Sequence, residues 1–254
     1  MVRLDYEQRK DGLIARVTLD NPSKLNIFTR EAMAALVRVM HEAELKDGLR
    51  AIVLTGAGDK AFVGGADLDA LASLDPASAR EFIGQVHQAC AAMRHCPVPV
   101  VARINGFCIG AGLELAASCD IRIAVNTALF SMPEVRLGIP SVVEAALLPR
   151  LAGAGRARWL VMTGEAVLAQ EALQWGLVEK VASAAHLDTA VNAAVDAILA
   201  GSDESIRAQK RLCQMWEELP LEASIRASVD EFARAYESPE PGRRIAGLRR
   251  ARRK

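Results

Sequence analysis

Long apolar runs are missing from this 254-residue chain: none reaches bilayer-spanning length, which excludes a helical membrane span. The opening residues, MVRLDYEQRKDGLIARVTLD, are charged from Arg3 onward and hold no apolar stretch of signal-peptide length. Cysteine is sparse and unpatterned. Cys90, Cys96, Cys108, Cys119 and Cys213 are odd in number, lie among apolar residues and show neither CxxC nor CxH spacing. Neither a disulfide framework nor a zinc site is expected from such a set. These absences predict a cytoplasmic protein whose thiols stay reduced in its core. Internal repeats and low-complexity segments are lacking too, apart from a basic C-terminal end.

Net charge is also absent, at 31 basic against 31 acidic residues, but the balance conceals an asymmetry. Seven basic and no acidic side chains fall between Arg243 and Lys254, which leaves the body with 24 basic against 31 acidic residues, a net −7. Such an end reads as a solvated helix terminus or a subunit contact, and less often as a phosphate or nucleic-acid patch. What the chain does have is apolar mass: 51% of its residues, with only three Trp, two Tyr and six Phe. That excludes a disordered, fibrous or disulfide-rich miniprotein. The length fits one large α/β domain, or a core with a smaller appendage, and is ample for an enzyme.

Leu4 to Arg9 and Leu13 to Leu19 flank Lys10-Asp11-Gly12 and are rich in Val, Ile, Thr and Tyr, a hairpin pattern. Thr29 is placed as the N-cap of a helix whose Met33, Leu36, Val37 and Met40 recur at helical spacing. Ala51 to Thr55 reads as a buried strand. A second helix carries Phe82, Val86, Cys90 and Met93, and Pro97 ends it before a strand over Val98 to Ile104. A short helix from Ala111 to Ser118 precedes a strand from Ile121 to Val125. This alternation predicts an α/β architecture. From Leu187 onward the pattern is helical throughout, over residues 190–199, 203–216 and 221–236. We therefore divide the chain into a core, 1–186, and a helical region with the basic tail, 187–254.

Three segments carry potential chemistry. In Ala61-Phe62-Val63-Gly64-Gly65-Ala66-Asp67-Leu68, glycines after a strand allow a sharp turn that could leave amides free for an anion or a developing oxyanion, although by itself the segment reads more often as an ordinary turn. In Ile104 to Leu115, a strand runs through Gly110-Ala111-Gly112 into a helix whose first N–H groups are unpaired, with Glu114 in that first turn. A dinucleotide fingerprint is disfavoured here, because its third glycine would fall on Leu115. The third segment, Phe130 to Glu144, sets Glu134 and Glu144 among mostly apolar and small residues, where a raised carboxyl pKa would suit proton transfer. Asp67 and Asp120 read as turn or cap residues. His41, His87, His95 and His186 read as structural or surface groups, and Met33, Met40 and Met93 as core.

In this order the segments resemble the enoyl-CoA hydratase/isomerase (crotonase) family over most of the chain. The likeness includes Leu25-Asn26, Phe62 to Asp67, Asn105 to Glu114, Cys119-Asp120 and Pro133-Glu134. It continues through Leu160 to Val178, with Thr163-Gly164-Glu165, Ala172 and Gly176-Leu177-Val178. The resemblance implies an α/β fold: a repeated ββα spiral core and a C-terminal helical trimerisation region, assembled as a trimer or as a hexamer of two trimers. It implies an acyl-CoA thioester as substrate, coenzyme A entering with it, and no separate cofactor or metal. The thioester oxygen would be held by the backbone N–H groups of Ala66 and Ala111, a type of contact typically worth about 2.7–4 kcal/mol per donor. Both hydratase glutamates have counterparts: Glu134 would deliver the α-proton and Glu114 would orient and activate water. Lys24, Gly64, Gly65, Asp67, Leu68, Gly110, Ser141 and Glu144 form the implied substrate-binding set.

Three departures bear on substrate range. After Gly138 a glycine-rich stretch gives way to the apolar Ile139-Pro140-Ser141-Val142-Val143-Glu144-Ala145-Ala146, with a third carboxylate. Glu144 reads first as a helix-start residue, or else as a selector of a polar acyl group, and the Ser141 amide as a replacement water contact. Asp69 stands where relatives often have lysine near CoA. Ala246-Gly247-Leu248-Arg249 replaces a C-terminal Phe-x-x-Lys, which leaves Lys210, Arg249 and Arg250 as candidates for the CoA phosphates. Hydration of a trans-2-enoyl-CoA is the leading reading. The alternatives are a Δ3,Δ2-enoyl-CoA isomerase, a hydratase for an unusual polar acyl-CoA and, remotely, a non-catalytic RNA-binding member whose affinity would fall steeply with salt.

Overall fold

The computed structural model describes residues 1–251. Its first hairpin pairs β1 (Val2–Arg9) with β2 (Gly12–Leu19) antiparallel. A helix, α1 (Arg30–Glu44), follows, with the Thr29 side chain accepting from Ala32 N–H as its cap and Met33, Leu36, Met40 and Ala43 buried. The chain then winds in repeated strand–strand–helix turns. The first turn runs β3 (Leu49–Gly56), β4 (Ala61–Val63), α2 (Leu68–Ala72) and α3 (Pro76–His95). The second runs β5 (Val100–Ile104), β6 (Phe107–Ile109) and α4 (Ala111–Ala117), and the third opens with β7 (Ile121–Val125) and β8 (Leu129–Ser131).

After 3-10 turns at Glu134–Leu137 and Val143–Leu147 come α5 (Leu148–Ala152), α6 (Ala154–Thr163), β9 (Val167–Leu168), α7 (Ala169–Trp175) and β10 (Lys180–Ala182). The first strand of each turn joins a six-stranded sheet ordered β1-β2-β3-β5-β7-β10, parallel from β2 onward. The second strand joins a four-stranded sheet ordered β4-β6-β8-β9. This is the ββα spiral that the resemblance implies. Strands covered on both faces read as unbroken apolar runs: Ala51 to Leu54 and Val100 to Ala102 are fully buried.

The short strands β4, β6, β8 and β9 were not expected from the residue pattern. Two or three residues hold too little alternation to show a period, and only pairing with distant strands makes them strands. Close packing between the layers depends on Gly112, where an added Cβ would stand 2.3 Å from the Val63 carbonyl oxygen. α4 therefore lies directly on β4, which joins the first two chemical segments.

The helical end comprises α8 (Leu187–Ala200), α9 (Asp203–Glu218), α10 (Leu221–Ala235) and α11 (Glu240–Ala251). α8 packs on the six-stranded sheet, while α9 and α10 form a helical hairpin. Arg244 of α11 donates to the Ala200 and Gly201 carbonyls at the end of α8. Arg252, Arg253 and Lys254 of the basic tail lie outside the described residues. No helix among the described residues is long and apolar enough to cross a membrane.

Candidate active site

A cavity of about 710 Å³ opens where the loops after β4, β6 and β8 meet. Of the residues singled out from sequence, Lys24, Gly64, Gly65, Ala66, Asp67, Leu68, Gly110, Ala111, Glu114, Glu134 and Ser141 line it. The rest of the wall is mostly apolar, with Leu71, Phe82, Ile83, Val86, Ile139 and Val142, and its further polar members are Ser23, Asp69 and Arg136. Phe82 and Val86 were visible only as a helix stripe. Nothing in the sequence marks that stripe as the wall of a cavity rather than plain core.

The two amides are free for a physical reason. Ala66 bridges Phe28 in parallel fashion, and the bonds of that bridge are made by its neighbours: Phe28 N–H donates to the Gly65 carbonyl at 2.8 Å, and Asp67 N–H donates to the Phe28 carbonyl at 3.0 Å. The alternation of a strand then turns the N–H of Ala66 the other way. Ala111 begins α4, so its N–H has no helical acceptor. Among the described residues, neither amide donates to a protein group.

Gly110, with φ 51° and ψ −120°, makes the turn between β6 and α4. A Cβ there would lie 2.4 Å from Glu134 Oε1, so the glycine both permits this backbone and admits the carboxylate beside Ala111. Glu134 starts its 3-10 turn, and its Oε2 accepts from the Ser141 hydroxyl at 2.7 Å. Ser141 thus contributes its side chain to the site, where sequence had offered its amide.

Glu114 is 4% exposed and its Oε1 accepts from Ala145 N–H at 3.2 Å. Burial pushes its carboxyl up to about 8, helped by the charges of Glu134 and Glu144 and opposed by the Ala145 bond. Asp67 caps α2 by accepting from Asp69 N–H, as its sequence position suggested.

The structure changes or extends several assignments. Lys210 is buried, and its ammonium donates to the Met93 and Val98 carbonyls and to Asp120 Oδ2, at 2.9, 3.0 and 2.8 Å. Its three hydrogens are committed, so it offers no contact to a phosphate. Asp120, also accepting from Val100 N–H, is an ion-pair anchor for α9 as well as a turn residue. Arg249 and Arg250 stand exposed in the last turn of α11 and do not line the cavity. Glu144 stands in the first turn of its 3-10 helix, as its first reading had it, and does not line the cavity; it is buried, and its Oε1 lies 2.7 Å from His87 Nδ1. His87, read from sequence as a surface group, is exposed but engaged; the 57 residues between the partners hid the pairing.

Comparison with known proteins shows the family. The family model described as enoyl-CoA hydratase/isomerase matches residues 9–242. The chain belongs to the enoyl-CoA hydratase/isomerase family. It is a hydratase-like member of the crotonase superfamily, to which the short-chain-enoyl-CoA hydratase of Clostridium acetobutylicum is a relative at 31% identity, covering 91% of this chain and 89% of that one. The crotonyl-CoA hydratase of Syntrophomonas wolfei is 32% identical over 89% of this chain and 88% of its own. The crystal structure of an enoyl-CoA hydratase from Bacillus anthracis superposes with a TM-score of 0.90 at 27% identity, covering 99% of this chain and 96% of the other. Hydratases of this kind are lyases, and the crotonase fold of this chain is that of the Bacillus anthracis structure.

Proposed function

We propose that this family member hydrates a trans-2-enoyl-CoA with an apolar acyl chain to the 3-hydroxyacyl-CoA. The observation that carries the reading is the meeting of two uncommitted amides, Ala66 and Ala111, with two carboxyl groups, Glu114 and Glu134, in one cavity. The amides hold the thioester oxygen and stabilise the enolate-like charge that develops on it. A water held by the carboxyl pair attacks the β-carbon. As its oxygen forms the new C–O bond, its proton passes to one carboxylate while the other carboxyl gives its proton to the α-carbon.

The pair therefore starts and ends each cycle with one proton. Family resemblance assigns the α-proton to Glu134 and the water to Glu114. The raised value of Glu114 puts the shared proton there in the free site, and the bridging water carries it to Glu134 as the thioester binds. Glu114 also favours hydration over isomerisation, because a Δ3,Δ2 shift needs only one base beside the oxyanion donors.

The apolar wall of Leu71, Phe82, Ile83 and Val86 suits a hydrocarbon acyl chain, and Glu144 is absent from that wall. Lys24, exposed at the edge of the cavity, is the candidate partner for a CoA phosphate. The reaction needs no separate cofactor, since coenzyme A arrives with the substrate. The free cysteines, four of them buried, suit a reducing cytoplasm.

The test is loss of enoyl-thioester absorbance with crotonyl-CoA and a longer trans-2-enoyl-CoA, with a trans-3-enoyl-CoA in parallel. Fast loss with the 2-enoyl substrates is the expected result. Absorbance that grows from the 3-enoyl substrate, without hydration of the others, would replace this reading with the isomerase.

A further inference from the structure

The segment after Gly138 contains a backbone that its residues do not favour. Val143 has φ 39°, in the left-handed region that a β-branched side chain rarely adopts. Such a conformation persists only where neighbouring contacts over-determine it. Two contacts do so, on consecutive residues. Glu144, 7% exposed, is tied to α3 through His87, and Ala145 N–H is tied to α4 through the Glu114 carboxylate. A carboxylate only accepts, so a hydrogen bond to it requires the hydrogen on His87 Nδ1.

The second oxygen of Glu144, Oε2, is buried without a hydrogen-bond partner among the described residues. Leaving a buried acceptor unpaired is costly, and the His87 bond is then the contact that holds this carboxylate in place. The titratable groups around it are His87 and Cys90 from α3, Glu114 from α4 and, across Glu114, Glu134 from its 3-10 turn. Arg150 of α5 is exposed and engaged elsewhere, donating to the Glu217 carbonyl.

We infer that His87 and Glu144 are a positioning pair for the proposed hydration: His87 anchors Glu144, and Glu144 fixes the turn whose Ala145 N–H aims the Glu114 carboxyl into the cavity. Neither residue lines the cavity. The pair acts through one backbone amide, and the inference rests on the hydratase reading given above.

The test compares wild type with His87→Ala, Glu144→Ala and Glu144→Gln, and with the double alanine variant. His87 is exposed, so its alanine variant is expected to fold like wild type. Each single alanine is expected to lower kcat about 10-fold with KM shifted less than about twofold, the signature of a misplaced reacting group. Glu144→Gln keeps an acceptor for His87 and is expected to recover most of kcat. The double variant is expected to lose no more than either single, because both break one chain of contacts.

Unchanged kcat in His87→Ala, losses that multiply in the double variant, or losses that follow KM would each overturn the pair. A second readout separates this failure from failure of the hydratase reading. The infrared band of the protonated Glu114 carboxyl, assigned by its disappearance in Glu114→Gln, is followed against pH without substrate. The proposal expects both alanine variants to displace that band or its midpoint. A band that stays where it was overturns the pair even if wild type hydrates no thioester.

Discussion

Glu114 and Glu134 show how far a residue's chemistry is set by what lies around it. Glu114 is removed from water and held by one amide, while Glu134 is met by a serine hydroxyl at the cavity wall. Replacing either by glutamine keeps the shape and removes the proton transfer, so Glu114→Gln and Glu134→Gln are each expected to lower kcat by about 10²-fold or more in a steady-state hydration assay. Near-full activity of Glu114→Gln beside an inert Glu134→Gln would point to a one-base isomerase. The raised Glu114 value also sets a sign for pH dependence. Below about 8 the free site keeps its shared proton, and above it that proton is lost. The kcat/KM profile is therefore expected to fall on the alkaline side with a midpoint near 8, as free-enzyme groups govern kcat/KM. A profile that is flat through pH 9 would remove the shared proton from the mechanism. Both glutamates were legible in the sequence. The value of about 8 was not, since it comes from burial and from charges up to 30 residues away along the chain.

The short elements decide the site more than the long ones do. The helices α1, α3, α8, α9 and α10 and every strand of the larger sheet except the three-residue β10 were legible from the residue pattern, and Ile121–Val125 falls where the pattern placed it. The three-residue strands β4 and β6 lead into the loops of Ala66 and Ala111, the proposed oxyanion donors, and have no period of their own. Their spacing rests on Gly112 against the Val63 carbonyl. Gly112→Ala drives a methyl group into backbone, which is expected to destabilise the fold by about 1–3 kcal/mol, an overpacking cost, with activity lost as Ala66 and Ala111 separate. Urea unfolding and turnover measured on the same samples check both parts. An unchanged midpoint with full activity would show that β4 and α4 tolerate separation. The Ala111 amide was readable because glycines flank the start of a helix. Ala66 looked like any turn until its bridge to Phe28 showed which way its N–H faces.

At the level of the whole chain, α9 and α10 leave an apolar groove lined by Trp216, Leu219, Leu221, Ile225, Val229 and Phe232. Val229 and Phe232 are 64% and 68% exposed. Apolar surface gathered on one helical hairpin calls for a partner, and we propose that copies of this chain cover it in a trimer or in a pair of trimers. Light scattering is expected to give three or six times the 27.3 kDa chain mass. Phe232→Glu is expected to shift the population to smaller species, by placing a charge in the contact. A wild-type mass of one chain would sink the proposal.

Much of this protein can be read along the chain: the α/β alternation, the helical end, the two glutamates and the Gly110-Ala111-Gly112 turn. These are local signals, written within a few residues by periodicity, capping and glycine placement. Lys210 was legible as a charge but misplaced as a ligand contact, and Glu144, rightly read as a helix-start residue, was wrongly counted among the substrate contacts as well. Their partners, Asp120 and His87, lie 90 and 57 residues away in sequence. Which charge is free to meet a substrate and which is consumed inside the fold depends on contacts between distant segments. Those exist only after the sheets and helices pack, because burial and hydrogen bonding are properties of neighbours in space.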